Sequence, residues 1–141
     1  MMEVSKPQEG GMELNEKIAA LRERMRQGGV DLFMVTTEDA YLAESAVDYW
    51  RSLRWLTGFS GTLAYAMVTQ DAVSFWTDAR YVIQARHQVQ IDQVKHYDVT
   101  KVGADYYLDW IRETLSAMEG DQLVMAVDGR TITASRGLLL Q

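Results

Sequence analysis

The chain has 141 residues, 48% of them hydrophobic, which suits one domain with its own core. Its 20 acidic and 14 basic side chains give a net charge of −6, which repels phosphate backbones and argues against nucleic-acid binding. The lack of cysteine excludes disulfides and a cysteine nucleophile, and no apolar run approaches the roughly 20 residues that cross a bilayer. We therefore expect a cytoplasmic protein with no membrane partner.

The first residues differ in composition from the rest of the chain. Residues 1–12 contain the only proline, Pro7, and a pair of glycines, and they lack the apolar centre of a signal peptide. They predict a flexible leader. The folded domain is expected to span residues 13–141.

The domain opens with a helix and a strand. Residues 14–27 have apolar side chains at three- and four-residue spacing, which predicts an amphipathic helix with Asn15 as its N-cap. Gly28 and the glycine after it are typical of a helix end. Residues 30–35 are almost continuously apolar and predict a buried strand.

The next segments are less regular. Residues 36–47 are ambiguous, although a helix could begin at Thr37, and residues 49–56 form either a short helix or a turn. Residues 63–69 and 73–77 are two apolar runs joined by a short polar turn, which predicts a β-hairpin.

The second half alternates helices and strands. Asp78 is expected to cap a helix that covers residues 80–89. The remaining expected elements are a strand at 94–99, a helix at 104–118, a strand at 123–127, a turn at 128–129 and a last helix at 133–141. This order predicts an α/β fold in which a mixed β-sheet is flanked by helices.

No familiar catalytic motif is present. His87 and His96 have neither the spacing nor the flanking carboxylates of a metal site, so ordinary surface histidines are expected. Ser60 lies between glycines but does not match the Gly-x-Ser-x-Gly nucleophile motif, and no base is placed near it.

Asp78 and Arg80 follow a predicted strand. A carboxylate there can accept backbone N–H bonds, and a cation at the start of a helix needs an acidic partner. The structural interpretation is a helix cap with an ion pair. The functional alternative is a ligand or subunit contact, because open α/β sheets bind ligands at the carboxyl ends of their strands.

The four tryptophans separate into two pairs. Trp76 on a strand and Trp110 on a helix face are expected in the core. Trp50 and Trp55 flank Arg51 in a poorly periodic segment. Because tryptophan and arginine are enriched at interface hot spots, this segment is either an interface or simple packing.

Two motifs carry a family resemblance. Residues 55–61 read Trp-Leu-Thr-Gly-Phe-Ser-Gly, and residues 76–81 read Trp-Thr-Asp-Ala-Arg-Tyr. With the apolar segment between them they resemble the N-terminal, non-catalytic domain of the creatinase/prolidase/aminopeptidase P family, which typically reads W-L-[ST]-G-F-[ST]-G-S-A-G and then W-T-D-G-R-Y. The resemblance extends from about residue 14 to the end and is nearest to the Xaa-Pro aminopeptidase branch.

The chain departs from the family pattern in places. Asp39 and Glu44 match an upstream Asp-x-His-x-Ser-Glu-Tyr motif, whose histidine and tyrosine are missing here. Ala79 replaces the glycine of Trp-Thr-Asp-Gly-Arg, and Gly-Ser-Ala-Gly becomes Gly-Thr-Leu-Ala. These changes bear on recognition of the substrate end and leave the fold unaffected.

The resemblance implies a ribonuclease H-like α/β domain that helps form oligomers and shapes substrate access. The C-terminal catalytic domain of the family, a hydrolase with two metal ions, has no counterpart in these residues. We therefore expect no catalytic and no metal-binding residue in this chain, and a divalent metal, manganese, in the absent domain. The parent enzyme would be a metallopeptidase that cleaves peptides with proline at the second position.

The expected partners are that catalytic domain and a second copy of the chain in a homodimer. The residues expected to make binding or interface contacts are Arg51, Trp55, Asp78 and Arg80. The alternative is a free-standing binding module of the same fold without a peptidase partner domain. A small hydrolase built on Asp78 or Glu44 is disfavoured, because no base, nucleophile or metal set accompanies them.

Overall fold

The computed structural model describes residues 6–37, 52–127 and Leu140, with only the backbone described for residues 6–12. The elements are α1 (Lys6–Gly28), β1 (Leu32–Thr36), α2 (Ser52–Thr57), β2 (Ala64–Val68), β3 (Val73–Thr77), α3 (Val82–Gln88), β4 (Lys95–Asp98), α4 (Val99–Val102), α5 (Tyr106–Ser116) and β5 (Met125–Val127).

Helix α1 is longer than the apolar spacing predicts. Leu14, Ile18 and Met25 are buried and lie on one face, and the helix ends at Gly28, before a left-handed glycine with a φ of 68°. The helix starts at Lys6, inside the segment predicted as a leader. Pro7 does not prevent this, because a proline is tolerated in the first turn of a helix. Where the domain begins stays a prediction.

The prediction that Asn15 caps this helix is wrong. Asn15 lies well inside α1, and its side-chain Oδ1 accepts a hydrogen bond from the backbone N–H of Asp92 at 2.9 Å. A capping residue signals a helix start only where the preceding residues leave the helix, and here they continue it. Asn15 instead ties α1 to the connection between α3 and β4.

The five strands form one mixed sheet in the order β4-β3-β2-β1-β5. β2 pairs antiparallel with β1 and with β3, whereas β4 and β5 pair parallel with β3 and β1 at the two sides. The predicted hairpin is therefore confirmed as β2–β3, and so is the mixed α/β sheet. The short turn between β2 and β3 allows their antiparallel pairing, and the crossover through α3 places β4 parallel to β3.

Hydrophobic side chains cover both faces of the sheet. The first core joins α1, α2 and α3 to one face and includes Ile18, Leu53, Phe59, Ala66, Phe75 and Ala85. The second core joins α5 to the other face and includes Leu32, Met34, Tyr65, Met67, Trp76, Tyr107 and Ile111, with Leu140 packed against it. Because successive side chains point to opposite faces, β2 and β3 contribute to both cores and are buried along their whole length.

An aromatic stack crosses three strands in the second core. The ring of Trp76 lies 4.1 Å from that of Tyr97 and 5.7 Å from that of Tyr65, nearly parallel to both. Trp110 of α5 meets Trp76 edge-on at 6.0 Å. The predicted core position of Trp76 is confirmed, and Trp110 is partly buried and packs against the same core.

The remaining sequence predictions agree with the structure in order and type, with shorter bounds. The helices at 80–89 and 104–118 appear as α3 and α5, the strands at 30–35, 94–99 and 123–127 appear as β1, β4 and β5, and the segment 49–56 contains α2. The turn at 128–129, the last helix at 133–141 apart from Leu140, and residues 38–51 lie outside the described residues.

Candidate functional site

The carboxyl ends of β3 and β4 meet at one edge of the sheet. Thr77, the last residue of β3, lies opposite Asp98, the last residue of β4, and Asp78 follows directly. Open α/β sheets commonly bind ligands at this edge. It is therefore the first candidate site.

Asp78 and Arg80 form an ion pair at this edge. Arg80 Nη2 lies 2.8 Å from Asp78 Oδ2, and the backbone N–H of Arg80 donates to Oδ1 at 3.0 Å. Hydrogen bonding by the guanidinium lowers the pKa of Asp78, and partial burial opposes that effect. The predicted acidic partner of Arg80 is confirmed, and it is Asp78 itself.

The expected helix cap at Asp78 is wrong. A turn closed by a 3.0 Å hydrogen bond from Tyr81 N to Asp78 O precedes α3, which begins at Val82 without a side-chain cap. Both Asp78 and Arg80 thus lie in this turn and not in the helix. The carboxylate accepts a bond two residues ahead, a local alternative that aspartate readily adopts.

The sequence analysis did not identify a second aspartate at the same edge, Asp98. Asp98 caps α4 by accepting the N–H of Thr100 at 2.9 Å, and the Thr100 hydroxyl accepts the N–H of Ala79 at 3.2 Å. These bonds join the loop after β3 to the start of α4. Aspartate is a favoured N-cap residue, so its place directly after a strand is the signal that would have indicated the cap.

Trp55 lies on α2 and has 62% of its surface exposed. Lys17 of α1 places its ammonium 4.7 Å from the centre of the indole ring and donates to the Trp55 carbonyl at 2.9 Å. Lys17 also pairs with Glu13 at 3.3 Å. The indole is therefore held in place by a cation–π contact while much of it faces outward.

The four expected contact residues do not form one described cluster. Asp78 and Arg80 come together after β3, whereas Trp55 on α2 contacts Lys17 of α1. Arg51 lies outside the described residues. An interface role for any of them stays a prediction. Sequence reasoning missed Lys17, since nothing local links it to a tryptophan 38 residues away.

The family motif at residues 55–61 builds a tight loop around Phe59. Phe59 is 1% exposed and packs edge-on against Phe75 at 5.0 Å and Tyr81 at 5.7 Å. A Cβ on Gly61 would lie 2.3 Å from Phe59 Cζ, so only glycine fits beside the ring. The motif therefore encodes close packing between the loop and the start of α3.

Ser60 fastens the same loop to α3. Its hydroxyl oxygen accepts hydrogen bonds from the side-chain amides of Gln84 at 3.0 Å and Gln88 at 2.9 Å, and its backbone N–H donates to Gln88 Oε1 at 2.9 Å. Gly58 has a φ of 79° and comes close to the Gln88 carbonyl. These contacts hold the loop of the first tryptophan motif against α3.

His96 is not the surface histidine that was expected. It is half-buried on β4 with its ring 5.8 Å from that of Phe75, and its Nδ1 is buried without a hydrogen-bond partner in the described part of the chain. Burial lowers its pKa from 6.5, and the positive charge of Arg86 adds to that effect. His87, by contrast, is exposed on α3.

The described residues contain neither a metal-binding cluster nor a helix that could span a membrane. Among residues 6–37, 52–127 and 140, no group of three or more His, Cys, Asp or Glu side chains is placed to hold a metal ion. No helix in those ranges has the length and apolar character needed to span a membrane.

Comparison with known families gives one decisive match. The family described as creatinase/prolidase N-terminal domain matches residues 17–141. The chain belongs to this family. The resemblance carried by the two tryptophan motifs is thereby confirmed.

Curated relatives of this N-terminal domain are named Xaa-Pro aminopeptidases. A probable Xaa-Pro aminopeptidase P of Talaromyces stipitatus is 31% identical over 121 residues, which cover 86% of this chain and 18% of the relative. One of Tuber melanosporum is 31% identical over 132 residues, which cover 92% of this chain and 20% of the relative. The chain thus spans about a fifth of the length of these relatives.

Solved structures share the fold. An X-prolyl aminopeptidase of Caenorhabditis elegans, described as a cytosolic enzyme with a di-nuclear active site, matches 91% of this chain and 21% of its own, with a TM-score of 0.72 and 26% identity. The N-terminal creatinase/prolidase-like domain of a metallopeptidase from Corynebacterium diphtheriae matches 91% of this chain and 86% of its own, with a TM-score of 0.62 and 19% identity. The second likeness concerns the fold alone.

Proposed function

We propose that this chain is the non-catalytic N-terminal domain of an Xaa-Pro aminopeptidase-like metallopeptidase, and that it contributes to oligomerisation and substrate access. The observation that carries the proposal is the match of residues 17–141 to the creatinase/prolidase N-terminal domain. The names of the curated relatives supply the substrate class, which is peptides with proline at the second position.

The use of the motif residues supports a scaffold role. Phe59, Gly61 and Ser60 are engaged in packing the loop after α2 against α3. The outward-facing parts of the same motifs are the indole of Trp55 and the guanidinium of Arg80, whose side chain is 66% exposed. An aromatic ring on α2 and a cation in the turn after β3, each held by local contacts, suit contacts with another subunit or domain.

The chemistry would belong to the longer protein. A divalent metal, manganese in our proposal, would act in a catalytic domain that follows this one, as the di-nuclear site of the nematode enzyme suggests. Activation of water between two metal ions requires several converging carboxylates. The cytosolic character of that enzyme supports a cytoplasmic location here.

Peptide hydrolysis tests the non-catalytic assignment. The 141-residue chain is purified, supplied with Mn²⁺ and offered a tripeptide with proline at the second position. We expect no release of the first residue above the buffer rate, while a full-length Xaa-Pro aminopeptidase in the same assay cleaves it. Metal-dependent turnover that follows the chain through two purification steps would overturn the assignment.

Light scattering over a concentration series tests assembly. We expect a homodimer, and we expect Arg51→Ala and Trp55→Ala to shift the molar mass toward the monomer, because loss of a hot-spot residue costs about 2 kcal/mol or more of binding. Ile83, an apolar side chain 74% exposed on α3, provides the matched control, since Ile83→Ala should leave the mass unchanged. A strict monomer at every concentration would contradict the dimer.

A further inference from the structure

His96 occupies a position where the sheet edge and a helix meet. It lies on β4, directly opposite Phe75 of β3, and Phe75 belongs to the first core beneath α3. The two ring centres are 5.8 Å apart. The imidazole thus lies on the face of the sheet that α3 helps to cover.

Its buried nitrogen is suited to one protonation state. Nδ1 is buried, and no described residue offers it a hydrogen bond. In the neutral tautomer with its proton on Nε2, Nδ1 carries no N–H and needs no acceptor. Protonation would place a charged N–H donor at Nδ1 without a partner, which is unfavourable in a buried position.

The charges around His96 do not offset this cost. The described ionisable side chains on α3 and α4, which pack against β4, are Arg86, His87 and Lys101, and those on β4 itself are Lys95, Tyr97 and Asp98. Tyr106 of α5 contacts Tyr97 of β4. β3 has no ionisable side chain. Burial lowers the pKa of the imidazole below 6.5, and the positive charge of Arg86 lowers it further.

The strand that carries His96 lies at one edge of the sheet. β4 is outermost in the sheet order and has only four residues, so its ladder runs to β3 alone. The β1, β2 and β3 pairings lie on the other side of β3 and do not depend on β4. A local change at β4 can therefore occur without loss of the central sheet.

We propose that His96 is a proton-sensitive latch, and that its protonation in mildly acidic solution loosens β4 from α3 and β3 while the central strands stay paired. In the folded domain the neutral form is favoured, so the latch holds fully above about pH 6.5. It weakens as the pH falls below that value, since the opened state takes up the proton more readily than the closed state.

Hydrogen exchange at two pH values tests the latch. Amide protection is measured at pH 7.5 and pH 5.5 and corrected for the intrinsic exchange rate, a window that lies above the ordinary carboxylate range. We expect loss of protection at pH 5.5 in β4, in the β3 amides that donate to β4 and in the part of α3 near Arg86, and no change in β1 and β2. His96→Gln should abolish the pH dependence, and His87→Gln, the matched control, should retain it.

A second measurement keeps the proposal testable if His96→Gln fails to fold. Long-range ¹H–¹⁵N spectra report the tautomer and titration of His96 in the intact domain. We expect the Nε2–H tautomer at pH 7.5 and a midpoint that rises in Arg86→Gln, an exposed site that tolerates substitution. An Nδ1–H tautomer, equal β4 protection at both pH values, or a pH dependence that survives in His96→Gln would overturn the latch.

Discussion

Trp76 and Trp55 belong to the two halves of one family signature, yet their surroundings are opposite. Trp76 is completely buried, stacked between Tyr65 and Tyr97 in the second core. Trp55 is 62% exposed, and the contact described for its ring is a cation–π contact with the ammonium of Lys17. The same residue type thus stabilises the sheet in one motif and forms surface in the other.

The difference follows from the layer in which each residue lies. β3 is an inner strand with helices over both faces, so every one of its side chains is buried. α2 is a short helix on the outside of the first core, and it buries Leu53, Leu56 and Thr57 while its other face turns outward. A signature of this family therefore contains residues of two kinds, and the chain position alone does not separate them.

The largest effect is expected from Trp76→Ala. Truncation removes the centre of the aromatic stack and leaves a cavity that the flanking strands cannot close. We expect a loss of about 3–5 kcal/mol in the free energy of unfolding, measured by urea denaturation followed by circular dichroism. Trp76→Phe, which keeps an aromatic ring, should lose less. A loss below about 1 kcal/mol for the alanine variant would contradict the assigned core position.

Gly61→Ala tests the loop between the two tryptophan motifs. The added methyl would lie 2.3 Å from Phe59 Cζ, and Phe59 is held by Phe75 and Tyr81. We expect a loss of about 1–3 kcal/mol by thermal and urea unfolding. Gly28→Ala is the control, because its Cβ would meet nothing closer than 3.9 Å. Equal stability of the two variants would refute the proposed close packing.

Asp78 has two roles: its charge pairs with the Arg80 guanidinium, and its Oδ1 accepts the backbone N–H of Arg80. Two substitutions separate these roles. Asp78→Asn keeps an oxygen for the Arg80 N–H and loses the charge, so we expect a cost of at most about 0.5 kcal/mol. Asp78→Ala loses both and should cost about 1 kcal/mol. Urea unfolding at pH 7 measures the stability of both variants. A larger loss for Asp78→Asn than for Asp78→Ala would contradict the role of the hydrogen bond.

The same pair predicts a pH dependence. Arg80 lowers the pKa of Asp78 from 3.8, so the carboxylate stabilises the folded state at pH values above 3.8. That stabilisation is lost as the pH falls through the lower pKa of the folded state. The stability difference between the wild type and Asp78→Asn should therefore shrink in strong acid, and a difference that grows there would contradict the ion pair.

A small effect on stability, no larger than that of Asp78→Ala, is expected from Trp55→Ala. It removes a cation–π contact at an exposed site, which contributes about 0.5–1 kcal/mol. Lys17→Met keeps the aliphatic stem and removes the charge, so it should cost a similar amount. Urea denaturation of both variants measures this, and a loss for Trp55→Ala close to that of Trp76→Ala would remove the contrast between the two tryptophans.

Much of the fold could be predicted because its signals are local. The β2–β3 hairpin follows from two apolar runs with a short polar turn between them, and α5 follows from apolar spacing around Ile111. The failures occurred where two local signals compete. Asn15 and Asp78 both have side chains that cap helices, yet one continues a helix and the other closes a turn.

The candidate sites were less predictable because their contacts are distant in the chain. Lys17 and Trp55 are separated by 38 residues, and Ser60 and Gln88 by 28. The burial of His96 depends on how α3 lies across β4. The periodicity of apolar residues indicates helices and strands, and it does not indicate which residues far apart in the chain come into contact.

The sequence by itself determined the family, the α/β class and the order of the elements, because tryptophan motifs, apolar runs and turn residues act through near neighbours. Only the tertiary structure decided which tryptophan is core and which is surface. It also decided that Nδ1 of His96 on β4 is buried without a hydrogen-bond partner among the described residues. Those outcomes depend on which layer covers each side chain, and the layers are formed by residues far apart in the chain.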